Sequence, residues 1–205
     1  MKALIIVDVQ NDFLPGGALA VNHGDEIIPV VNKLQHSGKF DLIVATQDWH
    51  PEDHGSFASN HSGKNPFEKT ILSGLEQILW PDHCVQETEG AEFSKLLDIK
   101  KIEAIFRKGM DKNIDSYSGF FDNGKLKHTG LAAYLKGRNI DEVFVAGLTG
   151  DFCAFYTSMD SIDAGFKTTL IEDATRSIDE NNFQNCVMTI KTKSGNVIDS
   201  SSILN

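Results

Sequence analysis

The feature that most constrains this chain is a rhythm of short apolar runs separated by amphipathic stretches. Ala3–Val9, Leu42–Thr46, Ala104–Arg107, Val143–Leu148 and Thr168–Ile171 are rich in β-branched residues and apolar on both faces, as strands buried from both sides must be. Between them, Glu26–Leu34, Leu131–Leu135, Ala154–Ala164 and Asn182–Ile190 carry apolar residues at helical spacing. Strands that alternate with helices need right-handed crossovers. The pattern therefore predicts a three-layer α-β-α fold around a mostly parallel sheet of about six strands. Ligands of such sheets sit beyond the carboxyl ends of the strands. Asp8, Asp48, Lys108 and the loop reaching Cys153 all fall at such ends.

No repeat, low-complexity tract or linker divides the 205 residues, so one domain over 1–205 is expected. The stretch at about 47–90 lacks periodicity and holds four of the seven histidines; an irregular insertion of that length is usually functional. With 19 Lys and Arg against 29 Asp and Glu, the net charge is −10. That field repels phosphate backbones and anionic lipid heads, which excludes nucleic acid and membrane surfaces as expected partners. Three cysteines at unrelated spacings make no disulfide framework and point to a reducing compartment. The opening apolar run is interrupted by Asp8, too early for a signal or a span, so a cytoplasmic location is expected. No Gly-rich dinucleotide fingerprint or P-loop occurs, and no nucleotide cofactor is expected. Homo-oligomerisation is left open.

Taken singly, the candidate residues have ordinary alternatives. Asp8, ending a buried strand, needs a partner against desolvation and fits a cap or a salt bridge as well as a catalytic role. Lys108 fits a side chain reaching to solvent. Cys153 is better placed: it follows a strand and a tight turn and opens the helix running to Ala164. The helix dipole there lowers a thiol pKa and favours a nucleophilic thiolate. Cys186 reads as core, and Cys84, next to His83, stays ambiguous.

The histidines are richer. If the second strand persists past Thr46, Asp48 and His50 point to one side, and Pro51 lets the chain curl so that His54 joins them. One carboxylate and two imidazoles within seven residues form a common ligand set for a divalent metal, with His83 as a fourth candidate.

Together these pieces resemble the nicotinamidase/pyrazinamidase branch of the isochorismatase-like cysteine hydrolases. The resemblance rests on Val7-Asp8-Val9-Gln10-Asn11-Asp12-Phe13, Gln47-Asp48-Trp49-His50-Pro51, Trp80-Pro81-Asp82-His83-Cys84-Val85, Phe106-Arg107-Lys108-Gly109, Ser116-Tyr117-Ser118-Gly119-Phe120 and the Gly147–Cys153 turn, all in family order. It implies a catalytic triad of Asp8, Lys108 and Cys153, and metal ligands Asp48, His50, His54 and His83. The implied metal is one divalent ion, zinc ahead of iron or manganese. It also implies an aromatic cage in which Phe13 and Trp80 hold a pyridine ring, with Tyr117 lining the pocket. An oxyanion hole is implied from the amides of Thr149, Gly150 and Cys153, at a turn where the family carries a non-proline cis peptide. The implied activity is hydrolysis of nicotinamide to nicotinate and ammonia in NAD salvage through a cysteine thioester, extending to pyrazinamide. The alternatives are an isochorismatase-like amidohydrolase for another small amide and a non-catalytic metal-binding homologue. Thr149-Gly150 departs from the alanine-threonine usual before the family's aspartate-aromatic-cysteine.

Overall fold

The computed structural model describes residues 1–205. Its strands are β1 (Lys2–Val7), β2 (Leu42–Asp48), β3 (Lys69–Leu72), β4 (Leu75–Ile78), β5 (Ala104–Lys108), β6 (Glu142–Gly147), β7 (Lys167–Thr175) and β8 (Asn196–Ile198). Its helices are α1 (Ile27–His36), α2 (Leu131–Gly137), α3 (Cys153–Asp163), α4 (Glu180–Thr192) and α5 (Ser201–Leu204). Six strands form one sheet in the order β5-β2-β1-β6-β7-β8, and every pairing in it is parallel.

Period-two alternation along β1 splits its side chains between two cores. Leu4 and Ile6 pack on the face covered by α1, through Ile27, Ile28, Val31 and Leu34. Ala3, Ile5 and Val7 pack on the opposite face, which α2, α3 and α4 cover through Leu131, Ala154 and Ile190, among others. A strand apolar on both faces has no solvent side, which is why the centre of this sheet reads as continuous hydrophobic runs.

The structure departs from the sequence reading at several boundaries. β1 stops at Val7 because Asp8 takes a positive φ of 48°, which ends the strand and turns its side chain out of the pleat. β6 stops at Gly147, and β7 extends to Thr175. The short strand β8 and the β3–β4 hairpin have no counterpart in the sequence reading. The hairpin lies inside the stretch at 47–90, so that stretch is not wholly irregular. Ser73 and Gly74, at φ 49° and 81°, form its two-residue turn; left-handed residues at both positions match the twist of paired strands.

Candidate active site

β5, β2, β1 and β6 lie side by side in that order in the parallel sheet, so their carboxyl ends deliver Lys108, Asp48, Asp8 and the 148–153 turn to one place. The Lys108 ammonium is fully buried at the centre. It lies 2.9 Å from Asp8 Oδ2 and donates to Asp48 Oδ1 at 3.0 Å, to the Ser116 carbonyl at 3.0 Å and to Cys153 Sγ at 3.5 Å. The snorkelling alternative is therefore excluded. Burial alone would strip the lysine of its proton, but Asp48 and Asp8 outweigh it and hold its pKa well above the ordinary value. The Thr46 hydroxyl donates to Asp8 Oδ1 at 2.6 Å and fixes that carboxylate from the other side. Burial pushes the Asp8 pKa up, against the opposing pull of Lys108.

Cys153 is the first residue of α3, as the sequence suggests, and its sulfur lies within 4.8 Å of an Asp8 carboxylate oxygen. Its electrostatics differ from the sequence expectation. Burial raises the thiol pKa well above the ordinary value; Lys108 works against this, and the nearby Asp8 and Asp48 add to it. The resting group is thus the neutral thiol, beside a carboxylate able to take its proton when needed.

The turn before Cys153 is built around a cis peptide, Leu148–Thr149. The amides of Thr149 and Cys153 donate to no acceptor within the protein, whereas the Gly150 amide donates to the Arg176 carbonyl at 2.7 Å. Gly150 is therefore removed from the expected oxyanion-hole set, because its only N–H is already committed. The glycine also has a packing reason: a Cβ there would meet Phe183 and Thr175 at 2.8 Å, so the phenyl ring fills the space a larger residue would take.

Asp48, His50 and His83 present ligand atoms that all lie within 4.8 Å of one another. His50 Nδ1 donates to the Gly109 carbonyl at 2.9 Å and His83 Nδ1 to the Pro81 carbonyl at 2.8 Å. A carbonyl only accepts, so both protons sit on Nδ1 and both Nε2 lone pairs are free. Those Nε2 atoms face Asp48, at 3.3 Å from Oδ1 and 3.7 Å from Oδ2. One carboxylate and two imidazoles, each oriented by a backbone carbonyl, fit a divalent cation. The backbone of Asp48 is itself clamped: Gln10 accepts from its N–H and donates to its carbonyl, both at 2.8 Å.

His54 is not brought into that set. Its ring stacks against His50, with centroids 4.4 Å apart, and groups with His50 and Asp115 instead. The curl after Pro51 is present, since the His54 amide donates to the Pro51 carbonyl, but it leaves His54 beyond His50 rather than beside Asp48.

Phe13, Trp80 and Tyr117 all line one small cavity, together with Asp48, His83 and Cys153. Sequence reasoning missed three other contributors. Phe152 stacks edge-on against Trp80 and Tyr117, with centroids 4.9 and 5.4 Å away; its place beside the cysteine was the available signal. Asp115 also lines the cavity, and Gln77 on β4 donates to both Asp115 and the Tyr117 hydroxyl at 3.0 Å. The hairpin thus has a structural purpose at the site.

A model of the isochorismatase domain matches residues 2–202. The nicotinamidase of Acinetobacter baylyi is 51% identical over 179 residues, covering 87% of this chain and 83% of that protein. The solved structure of an Acinetobacter baumanii nicotinamidase/pyrazinamidase is 46% identical, covers 99% of this chain and 98% of its own, and superposes with a TM-score of 0.95. The pyrazinamidase of Pyrococcus horikoshii, solved in complex with zinc, is 35% identical, with coverages of 97% and 98% and a TM-score of 0.80. The chain belongs to the isochorismatase family, on its nicotinamidase/pyrazinamidase branch.

Proposed function

We propose that this chain is an amidohydrolase that converts nicotinamide to nicotinate and ammonia, with Cys153 as the nucleophile. The observation carrying this reading is the juxtaposition in one cavity of a buried thiol, its carboxylate neighbour and a metal-ligand set, walled by aromatic rings. The kinship with nicotinamidases and pyrazinamidases supports the substrate class, with pyrazinamide as a second substrate of the same shape.

Asp8 takes the thiol proton of Cys153 as sulfur attacks the carboxamide carbon, forming the C–S bond and moving the carbonyl π pair onto oxygen. Lys108, ion-paired with Asp8 and donating to sulfur, balances the negative charge that moves between them. The free amides of Thr149 and Cys153 receive the oxyanion; one such donor is worth about 3 kcal/mol in other hydrolases. Collapse breaks the C–N bond, and the leaving nitrogen takes the proton from Asp8 and departs as ammonia. Water then attacks the thioester while Asp8 accepts its proton. Collapse of that adduct breaks the C–S bond, frees nicotinate and returns the proton to sulfur. Asp48, His50 and His83 would hold the divalent metal, which when bound accepts the pyridine nitrogen and draws electron density from the carboxamide. Zinc is the favoured ion, supported by the zinc-bound relative and by a carboxylate-imidazole donor set. Phe13 and Trp80 hold the ring between them, with Tyr117 lining the pocket, and this stacking adds about 1 kcal/mol beyond area burial.

The test is ammonia release from nicotinamide by zinc-loaded protein, with Cys153→Ala as the blank. Release by the wild type alone is expected. Absence of release from protein that holds its metal would overturn the substrate.

A further inference from the structure

The loop after β5 brings a carboxylate into the cavity that the reaction above leaves unused. Asp115 is buried, and its oxygens accept from the Ser116 amide at 2.7 Å and the Gln77 side chain at 3.0 Å. Its ligand atom lies within 4.8 Å of those of His50 and His54, just as Asp48, His50 and His83 group among themselves. His50 is common to both groups. Because its Nδ1 is committed to Gly109, only Nε2 is free to serve either, so the two groups meet at that one atom. His54 adds a second sign of a missing partner: it is fully buried, and its Nε2 has no hydrogen-bond partner.

Charge points the same way. The buried site holds three carboxylates, Asp8, Asp48 and Asp115, against one ammonium, Lys108. A cation held by Asp48, His50 and His83 would add positive charge where buried acidic side chains outnumber basic ones.

We infer that Asp115 is an anionic member of the metal centre, retaining a divalent cation through its charge beside the Asp48, His50 and His83 ligand set, with the unpartnered His54 ring on the same side. This rests on the metal reading above. Asp115 is thus a positioning residue for the cation, tethered by the hairpin through Gln77.

The test is zinc binding to the metal-stripped full chain, measured by competition with a chromophoric chelator, for wild type, Asp115→Asn, Asp115→Glu and His83→Ala. Wild type is expected to take up one zinc and His83→Ala to lose it. Asp115→Asn is expected to bind about 10–100-fold more weakly, and Asp115→Glu, which keeps the charge, to stay near wild type. Equal affinity in Asp115→Asn and wild type would overturn the inference, as would equal losses in the Asn and Glu variants. A wild type that takes up no zinc would overturn the metal reading itself, a separate failure. Melting of the metal-free proteins shows whether the variants fold. If Asp115→Asn does not, a zinc-soaked crystal of the wild type decides: a carboxylate oxygen within about 5 Å of the ion, near enough for direct or outer-shell contact, supports the inference. A carboxylate farther off, with no contact to the ion's ligands, overturns it.

Discussion

The ammonium of Lys108 lies 2.9 Å from Asp8 Oδ2, with neither side chain exposed to solvent. Two charges taken out of water together hold each other in place, and removing one strands the other. Lys108→Met, close in shape and uncharged, leaves Asp8 and Asp48 buried without their shared counter-ion. We expect a loss of about 3–5 kcal/mol in denaturant unfolding, together with near-complete loss of turnover. Unchanged stability would mean that the pair is not buried in solution.

Burial pushes the Cys153 thiol up even though Lys108 opposes it, so little thiolate exists at neutral pH. Alkylation by iodoacetamide should be slow at pH 7 and should accelerate only above the ordinary cysteine range near 8.5. Rapid alkylation at neutral pH would contradict the neutral resting thiol.

Asp8 must be deprotonated to accept the thiol proton, and burial raises its pKa. Base is lost as pH falls through a raised value. The acid limb of kcat/KM should therefore lie above the ordinary carboxylate pKa near 3.9, and an acid limb below that value would contradict the assignment.

Gly109 stands at φ +68°, and a Cβ there would collide with the His50 ring and approach Asp48 Oδ1 to 3.0 Å. Its carbonyl also orients His50. Gly109→Ala carries a left-handed penalty of about 1 kcal/mol before the collision is counted. Elemental analysis should find it depleted of metal relative to wild type.

Gln10 satisfies the N–H and carbonyl of Asp48 and donates to the Ala91 carbonyl at 2.7 Å, all in the interior. Gln10→Leu leaves the Asp48 N–H and carbonyl unpaired, each costing about 1–3 kcal/mol, while the Ala91 carbonyl keeps the Gln47 side chain at 3.1 Å. Thermal unfolding should show a Tm drop of several degrees together with weaker metal retention; an unchanged Tm would mean water replaces the side chain.

The sheet and the site were legible in the sequence to different depths. Strands buried on both faces announce themselves as apolar runs, so β1, β2 and β6 and the residues at their carboxyl ends could be read directly; β5 carries a similar run but is an edge strand with Ile105 and Arg107 exposed, so the expectation of burial on both faces did not hold there. β8 is three residues long, and the β3–β4 hairpin exposes Ile71 and Leu75, so neither carries a burial pattern to detect. The D-x-H spacing fixed Asp48 and His50 on one side, but local spacing could not say that His54 would fall beyond His50. Asp115 left no signal because its environment comes from Gln77, far away in the chain. The thiol pKa was misjudged because a helix N-terminus is visible in sequence and total burial is not.

The central claim is that Cys153 carries the acyl group. It is tested most directly by acid-quenching the zinc-loaded enzyme during turnover of nicotinamide and mapping the adduct by peptide mass spectrometry. The account predicts a nicotinoyl group on the peptide containing Cys153 and none in Cys153→Ala. Turnover at the wild-type rate by Cys153→Ala, or an adduct on another residue, would contradict it.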